Sequence, residues 1–77
     1  MANLLERLSP NEIRSIRTKH KLSRREFAKL TRFGEASIKR WETGASLQNA
    51  SADRFLRLIA ENLTVLGTLR KIEKRME

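Results

Sequence analysis

Lysine and arginine are the side chains with the most chemistry to offer in this 77-residue sequence: seventeen of them stand against nine acids, for a formal charge of +8. Their placement says more than their number. Between Arg14 and Arg40 lie ten bases (Arg14, Arg17, Lys19, Lys21, Arg24, Arg25, Lys29, Arg32, Lys39 and Arg40) and only two acids, Glu26 and Glu35. The remaining segments balance seven bases against seven acids, so all of the excess charge sits between Arg14 and Arg40. Confined charge of this kind is the footprint expected for a polyanion, because each neutralised phosphate releases counterions and adds salt-dependent affinity. Other chemistries lack their residues. The sequence has no cysteine, a single histidine at His20, no zinc-ligand spacing, no nucleophile beside a base and no glycine-rich phosphate loop. Catalysis, metal and cofactor are therefore not expected, and His20, at the basic end of a helix, reads as solvated.

The stretch FGEASIKRWETG, residues 33 to 44, is where base-specific chemistry could reside. Ile38 and Trp41, three apart, face one side of a helix, which leaves Glu35, Ala36, Lys39, Arg40 and Thr43 on the other. That outward set is short at its N-terminal end and cationic further on. A major groove admits a helix, and the first turns come closest to base edges, where long side chains would hold the backbone away. Arg40 can grip the O6 and N7 of guanine with two hydrogen bonds, and Ala36 can touch the methyl of thymine. Glu35 has two readings: an acid stabilising a helix N-terminus, or an acceptor for a cytosine amino group. Lys39, Lys29, Arg24, Arg25, Ser23, Ser37 and Thr43 are the candidate phosphate contacts, which set register without reading sequence. Ser23 has an alternative role as a helix cap.

Helices must position these residues, and the sequence marks where they start. LSPNEI (8–13) and LSRREF (22–27) each place Ser three residues before Glu, flanked by apolar residues, the pattern of a capping box with a hydrophobic staple. Pro10 at a first helical position needs no backbone donor. The first helix is expected from Pro10 to Lys19 and the second from Arg24 to Thr31, burying Phe27, Ala28 and Leu30. Phe33 and Ile38 repeat the staple around a third helix of about nine residues that starts at Gly34 and stops at Gly44, where a left-handed residue commonly ends a helix. Only Arg32, Phe33 and Gly34 join it to the second helix, which suits the steep crossing of a helix-turn-helix.

A fourth helix should start near Asn49 and carry Phe55, Leu56, Leu58 and Ile59 inward to about Glu61. Asn62 can cap a fifth, from Leu63 to about Arg75, in which Val65, Leu69, Ile72 and Met76 are spaced as a heptad seam with Leu66 beside it. Those five residues are the expected dimerisation surface. There is no strand-like alternation, so the fold class is all-α, with a lead segment at 1–8, a domain at 9–62 that contains the helix-turn-helix, and a C-terminal helix at 63–77, five helices in all. The longest apolar runs are too short to span a membrane, and a cysteine-free chain with no leader-like apolar run fits a cytoplasmic protein.

The run LSRREFAKLTRFGEASIKRWETG resembles the helix-turn-helix of the phage repressor/Cro (XRE) superfamily. Together, SPNEIRSIR, GEASIKRWETG and ADRFLRL resemble the DNA-binding half of YgiT/MqsA-type antitoxins. The resemblance implies a five-helix, lambda-repressor-like domain that binds a palindromic operator as a dimer, usually repressing its own operon. It also implies that Arg17 pairs with Glu42, tying the first helix to the end of the third, and that position 40 reads a base. The sequence departs from that pattern at several points. Arg24 stands where glutamine is common, Lys21 and Arg32 where turns often carry glycine, and Ala36 where a polar reader is frequent. YgiT/MqsA-type antitoxins also carry an N-terminal zinc module, whereas only MANLLER precedes Leu8 here, which is expected for a stand-alone regulator or for the DNA-binding portion of something longer. The alternative function is a protein-interaction module that binds a toxin or another partner through the C-terminal helix.

Overall fold

Two reciprocal caps organise the N-terminal half of the computed structural model, which describes residues 6–62 and 64–76. The Ser9 hydroxyl accepts from the Glu12 amide at 3.2 Å while the Glu12 carboxylate accepts from the Ser9 amide at 2.8 Å, starting α1 (Pro10–Lys19). Ser23 and Glu26 repeat the exchange at 3.1 and 2.9 Å to start α2 (Arg24–Thr31). Helix α3 (Glu35–Thr43) begins at Gly34 without a side-chain cap and ends at Gly44, whose φ of 81° is left-handed. Asn49 caps α4 (Ala50–Glu61) by accepting from the Ala52 amide at 2.8 Å. The Asn62 side chain accepts from both the amide and the hydroxyl of Thr64, at 3.2 and 2.7 Å, at the head of α5 (Thr64–Arg75). The architecture among the described residues is all-α, five helices and no strand, as the caps and periodicity predict. Leu63, the expected start of the last helix, lies outside the described residues.

The core forms where α3 is held between α1 and α2, while α4 packs on α1 and α5 on both α2 and α4. Ile13, Phe27, Ile38, Leu56, Ile59 and Leu66 are the largest apolar side chains fully withdrawn from water, each stabilising the fold by about 1.5–3 kcal/mol. Phe33, in the turn between α2 and α3, packs edge-on against Trp41 with centroids 5.1 Å apart and against Phe55 at 5.7 Å. The two aromatic contacts fix the entry of α3 relative to α4, so the outward face of α3 is presented by a rigid base.

Two expectations about the apolar residues are corrected here. Leu58, expected inward, is 51% exposed, because Leu56 and Ile59 share the buried face of α4 and residue 58 falls off it by helical geometry. Leu66, expected at the dimer seam, is 2% exposed and belongs to the chain's own core, with Val65 and Leu69 partly buried against that core. A helix spaced for a heptad seam has the same spacing as one covering an intramolecular core. Ile72 and Met76 remain exposed on α5.

Both turns that flank α2 take left-handed backbone at residues other than glycine: Lys21 at φ 57° and Arg32 at φ 64°. A β-carbon there costs about 1–2 kcal/mol, partly offset because glycine loses more entropy on folding, by about 0.5–1 kcal/mol. Arg32 has a compensating contact, an ion pair from its Nη2 to Glu73 on α5. Lys21 is exposed and lies where only its backbone is engaged, its amide donating to the Thr18 carbonyl at 2.9 Å. Lys21→Gly is therefore expected to raise stability by up to about 1 kcal/mol, seen in thermal melts as a Tm increase of about 4–8 °C per kcal/mol for a domain of this size. An unchanged or lower Tm would show that the turn carries no such strain.

Candidate nucleic-acid interface

One outward face of α3 collects the expected base-reading residues. Glu35, Ala36, Lys39, Arg40 and Thr43 are all exposed, while Ile38, Trp41 and Glu42 are buried beneath them. Arg40 rests on its own helix, its Nη2 donating to the Ser37 hydroxyl at 3.2 Å. Both groups are solvent-accessible, so a base edge can replace Ser37 at little cost. Ser37 accepts that bond and keeps its own proton to donate. The Thr43 hydroxyl instead donates back to the Lys39 carbonyl at 2.9 Å, with Arg40 O at 3.3 Å, so reaching a phosphate requires it to rotate. Glu35 stands in the first turn of α3, a position that favours an acid whatever else the residue does.

Beneath this face, Glu42 gathers the cations that connect the helices. Arg17 on α1 donates to both of its carboxylate oxygens, Nε to Oε2 and Nη2 to Oε1, each at 2.8 Å. Arg17 also donates Nη1 to the Leu22 carbonyl at 3.0 Å, so one guanidinium ties α1, the α1–α2 turn and α3 together. The Glu42 carboxylate is fully buried and the Arg17 side chain is 13% exposed. Burial opposes ionisation of Glu42, but hydrogen bonds from Arg17 and Arg24 and their charges together outweigh it and hold the carboxyl below its ordinary range.

Arg24, expected at a phosphate, donates its Nε to Glu42 Oε1 at 3.1 Å. Its two terminal nitrogens have no partner among the described residues, and a third of the side chain is exposed, so the guanidinium is held at its base and open at its tip. Ser23 accepts from Glu26 as the cap and retains a proton to donate, so capping and a phosphate contact are compatible. Arg25 and Lys29 lie exposed on α2.

A second buried polar cluster supports the loop after α3. Asp53 accepts from the Leu8 amide at 2.8 Å, from Gln48 at 2.9 Å and from Arg57 at 2.8 Å. Gln48 also donates to the Leu8 carbonyl at 3.1 Å, and Arg7 donates to the Gln48 carbonyl at 3.2 Å. Desolvation would raise the Asp53 pKa, but the Arg57 hydrogen bond, then those from Leu8 and Gln48, reverse the sign. Sequence reasoning missed this cluster, because its hydrogen-bonded partners lie up to 45 residues apart and no motif links them. It also missed Arg14, whose Nη2 donates to the Glu42 carbonyl at 3.2 Å at the end of α3. The only signal there is its position one turn before Arg17. No described group of three or more His, Cys, Asp or Glu could hold a metal ion, and no described helix is long and apolar enough to cross a membrane.

Comparison with known proteins bears on the same segment. The family model described as helix-turn-helix matches residues 13–64, from α1 to the start of α5. The chain belongs to the helix-turn-helix family. In this helix-turn-helix chain, α2 and α3 are the paired helices and Arg32–Gly34 the turn between them. The chain is also similar to Antitoxin HigA-2 of Vibrio cholerae serotype O1, 32% identical over 65 residues that cover 84% of this chain and 62% of that relative. It thus spans about three-fifths of the relative's length. The relative is called an antitoxin, by a name other than the YgiT/MqsA type whose motifs the sequence resembles.

Proposed function

We propose that this protein is a sequence-specific DNA-binding transcriptional regulator, a repressor of the antitoxin type that controls its own operon, and that it presents α3 to the major groove as one half of a symmetric dimer. The observation that carries the reading is the exposed face of α3, where Arg40 stands clear of the core above a helix whose buried side is pinned by Ile38, Trp41 and Glu42. In this reading Arg40, Ala36 and Glu35 meet base edges, and Ser23, Arg24, Arg25, Lys29, Ser37 and Lys39 meet phosphates, with Thr43 joining them after its hydroxyl turns. Two reading helices related by a twofold axis would address half-sites about 34 Å apart. Ile72 and Met76 on α5 supply the self-association surface, and α5 adds its own chain's Val65, Leu66 and Leu69 to the core that supports it.

The test is titration of the protein against duplex DNA from upstream of its own gene, beside a scrambled duplex, at moderate salt. Preferential binding to the first is expected, and equal affinity for both would overturn the reading. A second reading, capture of a toxin through α5, is favoured by the name of the Vibrio cholerae relative, an antitoxin, and by the exposure of Ile72 and Met76. Sedimentation of the isolated chain separates the two uses of α5. A homodimer assigns the surface to self-association, and a monomer stabilised by a co-expressed neighbour assigns it to the partner.

A further inference from the structure

We infer that Arg14 is a backbone-phosphate contact of the DNA site, held in place by the carbonyl that ends α3, and that Glu42 therefore positions two phosphate-binding arginines at once. The inference rests on the DNA-binding reading and extends it to a residue on α1. Glu42 engages Arg17 and Arg24 through its carboxylate and Arg14 through its main-chain carbonyl, at 3.2 Å. Two guanidiniums thus share the single carboxylate while Arg14 is held by the main-chain carbonyl alone, so no acid is paired with Arg14 among the described residues. Arg17 is engaged on three of its nitrogens. Arg14 and Arg24 differ from it in the same way: each offers one nitrogen to Glu42 and turns the others outward without a partner among the described residues.

An anion approaching Arg14 or Arg24 from solvent finds donors whose orientation is already set by Glu42. The loop beyond, from Gly44 to Asn49, carries no charge of its own, so the far end of the reading helix would otherwise meet the phosphate backbone with no cation. Pro10 of α1 lies against that loop, its Cγ being 3.7 Å from where a β-carbon on Gly44 would stand, and Arg14 is one turn further along the same helix. The geometry makes α1 the supplier of the missing charge. A purely local role is the competing account: an arginine at a helix C-terminus stabilises the last carbonyls and nothing more.

The two accounts separate on charge. Duplex binding is measured by fluorescence anisotropy across a salt series for the full chain and for Arg14→Gln, which can still donate to the Glu42 carbonyl but has no charge, for Arg14→Lys, which keeps the charge, and for Arg75→Gln, which removes a charge from α5. Arg14→Gln is expected to flatten the slope of log affinity against log salt by about one and to weaken binding about eightfold at 0.1 M salt, equally on cognate and scrambled duplexes. Arg14→Lys should restore the slope and Arg75→Gln should leave it unchanged, with melting curves recorded for each. If the parent chain binds and Arg14→Gln keeps the parent slope, or if Arg75→Gln flattens it equally, the inference fails alone. If the parent chain binds no duplex at any salt, the DNA-binding reading fails and the inference with it.

Discussion

Glu42→Ala is expected to lower the stability of the chain by about 3–5 kcal/mol, because it leaves the Arg17 charge confined at 13% exposure with no carboxylate to balance it. Small domains are stable by only about 5–15 kcal/mol in total, so the variant should be partly unfolded at ambient temperature. Arg24 suffers less, since its exposed tip can turn to water. Replacing both partners, Arg17→Met with Glu42→Leu, should cost less than removing either alone, which denaturant titration of the three variants would show. If the double variant is the least stable, the pair contributes more than orientation.

The same carboxylate sets an acid limit. Its folded pKa is depressed below the ordinary 4.5, so the stability it contributes is fully present above that value and is lost as pH falls through the folded pKa. Asp53, also depressed, adds to the loss in the same direction. The denaturation midpoint of the parent chain should therefore fall as pH drops below about 4.5, and fall less steeply in Glu42→Gln. Equal slopes in parent and variant would assign the acid loss elsewhere.

Why some of this was readable and some was not follows from the range of each interaction. Ser9 with Glu12 and Ser23 with Glu26 act across three residues, so sequence alone places the starts of α1 and α2. Gly44 does the same for the end of α3. The Arg17–Glu42 pair spans 25 residues and came from family resemblance, not from periodicity. The Arg24 and Arg14 bonds to Glu42 depend on how the helices cross, which no local spacing encodes. Leu66 shows the same limit, since apolar spacing says that a helix has a face and not which surface covers it. Lys21 and Arg32 conceal two left-handed turns because the glycine that usually signals them is absent.

That division leaves the reading residue itself as the sharpest consequence for function. Arg40→Ala is expected to relax preference at one base-pair position by about 1–3 kcal/mol, roughly five- to 150-fold in relative affinity, on a panel of operator duplexes each changed at one position. Lys29→Ala should instead weaken every duplex alike and flatten the salt slope by about one. The contrast arises because Arg40 has a planar fork on the exposed face of α3, whereas Lys29 is a point charge on α2. Arg40→Lys isolates the fork: the charge remains and the two-bond grip on guanine does not, so specificity should fall while the salt slope holds. Uniform weakening by Arg40→Ala across the panel would reassign Arg40 to phosphate. Because Ala36 has no hydrogen bond to offer and Glu35 is favoured where it stands by the helix terminus alone, removing Arg40 leaves few polar contacts to read sequence. Whatever discrimination survives in Arg40→Ala should then follow the bendability and groove width of the central base pairs more than the identity of any contacted base.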